Sequence, residues 1–400
     1  MIKLTPEQAK ARLQPTDKAK AKGKQPTLEL LDIVEDAIYV MGNEDGNIIT
    51  PVYDGIQPII GTWEEKGGEI PPALQDWLQE YVSEIEWFNR VGESLVPPEG
   101  EGLVTQRAPK APRPSVSAML ETKWSQLSPY NNNIVFDGKK CPTGCNTTAA
   151  AQIFAYYGKK GYYRGCPSTD AYITASNGYV VNALPSLPIF DYANLANKPK
   201  TDKQKAAVAQ LMEYIAYTFH SDFKTNSTGA SPKQVATYLK DNLRMGSFIS
   251  YITAKKLGLS AFETYIYNEL LQGRPVMVAG WTSSGGGHTF VIDGYDANTG
   301  LYHVNWGWGG SYDGWFALSA LEPKASVAYN SNKVAIIGIQ PDYKLGDVNG
   351  DGEVNIADAT RIIQMIQKGE YAEQADVNYD NKVTITDAQV IINRVLNNTI

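Results

Sequence analysis

The sequence predicts an α+β protein with a helix-rich lobe and a lobe of antiparallel strands, preceded by a small α+β unit and followed by a short all-α segment. Three observations carry this expectation. Between Cys145 and Leu271 apolar residues recur at steps of three and four, as on the buried faces of helices. After Arg274 the texture changes to short alternating runs bounded by glycine, as in strands. From Leu345 onward an Asp- and Asn-rich loop leads into a helix, and the pair recurs 29 residues later.

The chain has 400 residues, more than one ordinary domain, and 43% of them are hydrophobic. No apolar run is long enough to span a membrane. The net charge of -7 argues against a partner that is a polyanion, and it is uneven, with nine acidic against four basic residues from Leu345 to Ile400.

Residues 1 to 95 read as a unit of their own. Leu28 to Met41 and Ile48 to Ile60 hold strand-like runs broken by Gly42-Asn43, Asp45-Gly46 and Asp54-Gly55. After Pro71-Pro72, Leu74, Trp77, Leu78, Tyr81, Val82, Ile85 and Phe88 fall at helical steps and give a broad apolar face that must pack on something. Residues 96–115 are rich in proline, from Val96-Pro97-Pro98 to Arg113-Pro114. Repeated prolines withhold backbone donors and favour extended, accessible chain, so a protease can cut there. The opening residues Met1 to Pro6 do not read as a secretory signal, and a starting Met directly before a helix start fits a chain from which a leader has been taken off.

The chemistry centres on Cys141-Pro142-Thr143-Gly144-Cys145-Asn146-Thr147-Thr148. Ala149, Ala150, Ile153, Phe154 and Tyr157 follow at helical spacing, which places Cys145 in the first turn of a helix. Unpaired N–H groups and the positive end of the helix dipole favour the nucleophilic thiolate there. Such a thiol needs a base close in space and a third group that fixes the base. The chain has three histidines. His220 ends a helical run, and His303 lies inside an apolar strand as a hydrogen-bonded sheet residue. His288 opens a strand after Gly285-Gly286-Gly287, where small residues leave room for a substrate backbone. Farther on, alternation along Leu301 to Trp306 puts Leu301, His303 and Asn305 on one face. Asn305 is expected to orient the imidazole, and Trp306 to shield it. With Cys145 kept for chemistry, Cys141 and Cys166 are the remaining pair, and a bridge between them is permitted but not required.

The Thr-Gly-Cys helix start, the Gly-Gly-His288-Thr-Phe-Val-Ile-Asp-Gly strand and Tyr302-His303-Val304-Asn305-Trp306-Gly-Trp-Gly-Gly resemble the streptopain family of secreted cysteine proteases, which have a papain-like fold. The resemblance runs from about Met119 to Ile339. It implies Cys145 as nucleophile and His288 as general base, with Asn305 and Trp306 beside it. Trp124-Ser125-Gln126-Leu127-Ser128-Pro129-Tyr130-Asn131 resembles the segment with the family's oxyanion-hole glutamine, here Gln126. Cys141 and Cys166 depart from the family pattern. Tyr39-Val40-Met41-Gly42 and Pro58-Ile59-Ile60-Gly61-Thr62 resemble the family's prosegment, which covers the active site in its zymogens. The expected division is therefore prosegment 1–95, activation linker 96–115, papain-like protease 116–341 and a calcium-binding tail 342–400.

That tail presents Asp347, Asn349, Asp351, Glu353, Asn355 and Asp358 at loop positions 1, 3, 5, 7, 9 and 12, then Asp376, Asn378, Asp380, Lys382, Thr384 and Asp387 in the same register. Calcium takes six to eight hard oxygen ligands, position 7 contributing its backbone carbonyl, so two ions are expected. Gly352 and Asn381 suit the sharp turn at position 6. Ile362, Ile363 and Ile366 are matched by Ile391, Ile392 and Val395 in the helices that follow. The duplication resembles a type I dockerin, which docks a secreted enzyme on the cohesin of an extracellular, cellulosome-type scaffold. By that resemblance Ile356-Ala357 and Ile385-Thr386 are the recognition pairs.

Two classes of function compete. One is a secreted cysteine endopeptidase made as a zymogen and docked to a scaffold. The other is a scaffold subunit that keeps the protease fold without turnover, or binds inhibitors. Retention of Cys145, His288, Asn305, Trp306 and Gln126 together favours the first, and transferase or deamidase chemistry on the same Cys-His pair stays open beside it.

Overall fold

A computed structural model describes residues 2–13, 28–43, 45–64, 70–91, 113–160, 162, 165–187, 190–281, 287–319, 332–341, 344–349 and 352–397. Most of the proline-rich linker (96–112), Gly285-Gly286 and Asp351 lie outside the described residues. The principal helices are α1 (Pro6–Leu13), α2 (Pro72–Val91), α3 (Cys145–Lys159), α4 (Asp202–Thr218), α5 (Pro232–Asp241), α6 (Leu259–Leu271), α7 (Ile356–Lys368) and α8 (Ile385–Leu396). The principal strands are β1 (Glu29–Val34), β2 (Ile38–Asn43), β3 (Gly46–Pro51), β4 (Gly61–Trp63), β5 (Ser250–Thr253), β6 (Val276–Trp281), β7 (Gly287–Asp296), β8 (Leu301–Asn305), β9 (Gly314–Phe316) and β10 (Val334–Ile337).

The fold is α+β, and the chain divides into two compact units. The first comprises Met1–Met119, Ile252–Trp306 and Ser311–Ala335, and the second Leu120–Tyr251, Gly307–Gly310 and Ile336–Ile400. Among the described residues no helix is long and apolar enough to cross a membrane.

The first unit is built on a ten-stranded sheet in the order β1-β2-β3-β4-β9-β8-β7-β6-β10-β5. Its centre is a meander in which β6 pairs β7, β7 pairs β8 and β8 pairs β9, all antiparallel. Residues 1–95 are not self-contained as the sequence suggested. Gly61, Thr62 and Trp63 of β4 pair directly with β9, so the N-terminal strands extend the sheet. Helix α2 buries Leu74, Trp77, Leu78, Tyr81, Val82 and Ile85, the face its spacing predicted. Trp77 meets the rings of Phe290 (5.3 Å) and Trp306 (6.1 Å) edge-on. Tyr81 donates to the Ala317 carbonyl. Ala9, Tyr39, Met41 and Val52 make a small core within this segment, while the apolar face of α2 packs on the strands it covers.

Strand β7 carries one irregularity. Ile292 pairs with Val304 but Gly294 pairs with His303, so Asp293 is the extra residue of a bulge. Released from pairing, the fully buried Asp293 accepts from His303 Nδ1 (2.6 Å) and from the backbone N–H of Met119 (2.9 Å). A Cβ on Gly294 would stand 3.1 Å from the Ala118 backbone, so the bulge also admits the incoming chain. His303 is thus the hydrogen-bonded sheet residue its sequence context suggested.

The second unit is helical. Thr201 caps α4 in a capping box with Gln204. Ser231 precedes Pro232 at the start of α5, and its side chain makes no capping bond there. In the C-terminal pair, Asn355 caps α7 and Thr384 caps α8, each in a capping box with the Asp three residues on. Leu345, Val354, Ile362, Met365, Val377, Tyr379 and Ile391 form a small core between them. Of the matched positions Ile362 and Ile391 are buried, and Met365 joins them, whereas Ile363 and Ile366 are exposed.

Candidate active site

Cys145 is the first residue of α3 and is half-buried. The turn into it needs Gly144, whose φ of 90° lies in the region that disfavours a side chain, and whose missing Cβ would meet the Thr228 carbonyl at 3.1 Å. Thr148 closes the first turn with its N–H on the Gly144 carbonyl (3.0 Å), and its hydroxyl lies 2.8 Å from that of Thr143. Asn146 donates to the Ala230 carbonyl at 2.9 Å.

Gln126 lies in the same unit and beside the same loop, since its carbonyl accepts from the N–H of Thr143 (2.9 Å). The extended run leading to it is pinned by Gln152, a fully buried residue on α3 that sequence reasoning missed. Gln152 Oε1 accepts from the Thr122 hydroxyl (2.9 Å) and from the Trp124 N–H (3.4 Å). The available signal was a lone amide in an Ala-rich, otherwise apolar stretch of helix.

Cys141 and Cys166 are free thiols, each in its own surroundings. Cys141 packs in a cluster with Ile134, Phe136, Val181 and Phe223, and burial pushes its thiol up. Cys166 sits 3.5 Å from the Thr218 hydroxyl, and burial pushes it up to about 12.

His288 belongs to the first unit, in β7 opposite Gly280 of β6. Its Nε2 lies 2.8 Å from the backbone carbonyl of Trp306. A carbonyl only accepts, so Nε2 carries the proton and Nδ1 of the neutral ring holds the lone pair. Phe290 and Trp306 stack near the imidazole at 6.3 and 6.4 Å, and the backbone N–H of Trp306 donates to Asp313 Oδ1 (3.0 Å). The expectation that the Asn305 side chain orients His288 is corrected by register. Asn305 pairs with Val291, so its side chain shares the face of Thr289 and Val291, whereas His288 and Phe290 point to the other. Asp76 of α2 lies close enough for the His288 charge to act on it; burial pushes the Asp76 carboxyl up, partly opposed by that imidazole.

In the C-terminal loops Asp358 accepts from the N–H groups of Val348, Asn349 and Asn355, at 2.8 to 3.1 Å. Asp387 likewise accepts from Asn378 (3.3 Å) and Thr384 (2.8 Å). Among the described residues no three His, Cys, Asp or Glu side chains make a ready cluster, but a calcium loop also draws on carbonyl and amide oxygens. The donors present fit that ion. All are hard oxygens, and Gly352 (φ 86°) and Asn381 (φ 62°) make the left-handed turns. Burial and then the nearby Asp387 push the Asp376 carboxyl up, the strain a divalent cation relieves. Ile356, Ala357, Ile385 and Thr386 are all exposed at the starts of α7 and α8.

A thiol in the first turn of a helix and an imidazole held on a strand, on a mixed α and β framework, are the groups that a cysteine peptidase uses. Residues 124–316 match the Peptidase C10 family and residues 345–396 the Dockerin type I domain. The chain thus carries a streptopain-family cysteine peptidase domain followed by a type I dockerin, a module type that binds calcium and docks to cohesins. It is 29% identical over 309 residues to streptopain of Streptococcus pyogenes, covering 70% of this chain and 73% of that one. It is 26% identical over 337 residues to the thiol protease/hemagglutinin PrtT of Porphyromonas gingivalis, covering 77% of this chain and 37% of that one. Its fold resembles that of prointerpain A from Prevotella intermedia, with a TM-score of 0.65 at 24% identity over 79% of this chain and 99% of the other.

Proposed function

We propose that the chain is the precursor of a secreted cysteine endopeptidase, held on a cohesin-bearing extracellular scaffold by its dockerin. The observation that carries the catalytic part is the His288 Nε2 bond to the Trp306 carbonyl, because it fixes the tautomer that leaves Nδ1 as a base. In this reading Cys145 Sγ gives its proton to His288 Nδ1 and attacks the scissile carbonyl carbon. The oxyanion takes hydrogen bonds from the Cys145 N–H and the Gln126 amide. The imidazolium then protonates the leaving amine, and water, activated by the same Nδ1, releases the acyl group and restores the thiol. Trp306 holds the ring through its carbonyl and screens it with its indole.

Residues 1–95 act as the prosegment, lying over β7 and β9. The activation cut is bounded on its C-terminal side by the structure around Arg113. Arg113 pairs with Glu263 (3.1 Å) and stacks on Tyr267 (4.5 Å), Pro114 accepts from the Tyr267 hydroxyl (3.0 Å), and Val116 bridges Tyr295. Chain held this way resists a protease, so the cut falls between residues 96 and 112.

Two calcium ions are assigned to the dockerin. Asp347, Asn349, Asp351, the Glu353 carbonyl, Asn355 and Asp358 hold one, and Asp376, Asn378, Asp380, the Lys382 carbonyl, Thr384 and Asp387 hold the other. The ions supply charge that lets the acidic loops close. Ile356-Ala357 and Ile385-Thr386 form the cohesin contact.

The test is incubation of the full chain under reducing conditions, with fragment sizing, N-terminal sequencing and product analysis on a plain peptide. A new N-terminus before Arg113, together with hydrolysed peptide, supports the reading. Full activity in the uncut chain argues for a permanent N-terminal domain, and transfer without hydrolysis for a transferase.

A further inference from the structure

Lys333, just before β10, is 1% exposed, and its ammonium faces α2. It lies 2.9 Å from Glu84 Oε1, 3.3 Å from Glu80 Oε1 and 4.9 Å from the centre of the Trp77 ring. The other oxygen of the fully buried Glu84 accepts from the Ser319 hydroxyl at 2.8 Å. One carboxylate of α2 is therefore gripped at both oxygens by donors from the peptidase part of the chain. Burial alone would lower Lys333, but Glu84 and Glu80 more than offset it and hold it charged.

This cradle adjoins the catalytic imidazole. Asp76, Trp77 and Glu80 line one small cavity with His288, Phe290, Trp306 and Lys333. Trp77 fills the aromatic wall of Phe290 and Trp306 while its neighbours on α2 fill the cationic end. A buried ion pair is a poor way merely to glue a helix down, since well-packed apolar residues hold as well or better. A cation with a hydroxyl beside it is, however, a receptor for a carboxylate, and a charge-assisted one.

We propose that Lys333 and Ser319 form a subsite that takes an acidic side chain of the substrate, and that α2 occupies it in the precursor as a mimic. The inference rests on the zymogen reading, which supplies the departure of α2. Spacing sets the expected motif. The Lys333 ammonium lies 4.9 Å from the centre of the Trp77 ring, so the aromatic and cationic ends of the site adjoin. An extended peptide puts residues two apart on one face at roughly 7 Å, so an aromatic residue and an acidic residue separated by one position reach the same two ends.

The experiment uses the full chain after it has processed itself under reducing conditions. Fluorogenic peptides with a fixed Phe carry Glu or Gln at each position within about three of the scissile bond. The same peptides are tested for binding, by anisotropy, to Cys145→Ala protein processed by a trace of active enzyme. At one position Glu is expected to beat Gln by about tenfold in kcat/KM and in affinity, the scale of one charged hydrogen bond. Lys333→Met should bring that ratio to near one, and Lys333→Glu should turn it toward Lys. Lys333→Met is made with Glu84→Gln and Lys333→Glu with Glu84→Lys, changes that leave with α2, so that neither precursor is left with an uncompensated buried carboxylate. Brisk hydrolysis with no Glu preference, or a preference that survives Lys333→Met, overturns the inference and leaves the endopeptidase reading standing. Hydrolysis of no peptide overturns the endopeptidase reading instead, and with it the departure of α2 that the subsite requires.

Discussion

His288 can serve as a base because its other nitrogen is committed. The Trp306 carbonyl accepts a hydrogen bond from Nε2–H, a task that needs only a backbone oxygen at 2.8 Å and no particular side chain. Asn305→Ala should therefore leave kcat/KM on a plain peptide within roughly threefold, whereas His288→Ala should lower it by about a thousandfold. Asn305 is buried, so its loss should show instead as about 1 to 2 kcal/mol of stability in thermal unfolding. A large catalytic loss from Asn305→Ala with stability unchanged would contradict the strand register. Thiol chemistry provides a second check. A thiol pushed up by burial stays protonated and unreactive until the pH rises toward its shifted value. At pH 8 one equivalent of alkylating reagent per native chain should react, at Cys145, with Cys141 and Cys166 protected; Cys166 should wait for pH near 12 or unfolding. Peptide mapping of the modified chain reads this directly. Residue types and order singled out the thiol and the imidazole, because the chemistry allows few alternatives, whereas Gln126 came only with the family resemblance. Which neighbour holds the ring depends on pairing across strands, and the bulge at Asp293 shows that the register is not a simple count along the sequence.

At the scale of elements, α2 was the most legible piece of the N-terminal segment. Six apolar positions from Leu74 to Ile85 recur at helical steps and all are buried. What it packs on was not legible, because Glu84 meets Lys333 across 249 residues and no local pattern encodes that contact. Nor does a short run such as Gly61-Thr62-Trp63 say whether it closes its own sheet or joins another. The pairing gives a prediction about this helix. Glu84→Ala leaves the Lys333 charge short of its nearest carboxylate, which for a broken buried pair costs about 3 to 5 kcal/mol. Helix α2 should come away more readily, seen as faster chymotryptic cutting within residues 72–91 and a shorter lag before self-processing. Glu84→Leu combined with Lys333→Met should restore protection, since an apolar pair of similar volume replaces the ions. If Glu84→Ala is digested no faster than the unaltered chain, the ion pair does not hold the helix.

At the scale of the whole molecule, a peptidase domain is joined to a type I dockerin, a module type that binds calcium. The dockerin repeat was legible because duplicated ligand spacing is a strong constraint, and the matched caps Asn355 with Asp358 and Thr384 with Asp387 show that the two halves fold alike. Its helix phase was less so: with two short helices sharing one small core, Met365 rather than Ile366 turns inward, and Ile363 and Ile366 stay at the surface near the exposed Ile356. A module with so small a core holds buried carboxylates such as Asp376 and Asp387 only if their charge is neutralised. Chelation should therefore loosen residues 345–397, as protease sensitivity and lost helical signal, while peptidase activity on a small peptide persists. The exposed pairs Ile356-Ala357 and Ile385-Thr386 occupy equivalent places at the starts of α7 and α8, so under the proposed docking a cohesin that accepts one is expected to accept the other after a half-turn of the module. Changing one pair to Asp-Asp should leave cohesin affinity within about twofold, and changing both should abolish it. Calorimetric titration of a cohesin panel against the full chain, in calcium and in chelator, decides the matter: equal affinity in both media removes the calcium requirement, and loss of binding from a single altered pair removes the two-orientation arrangement.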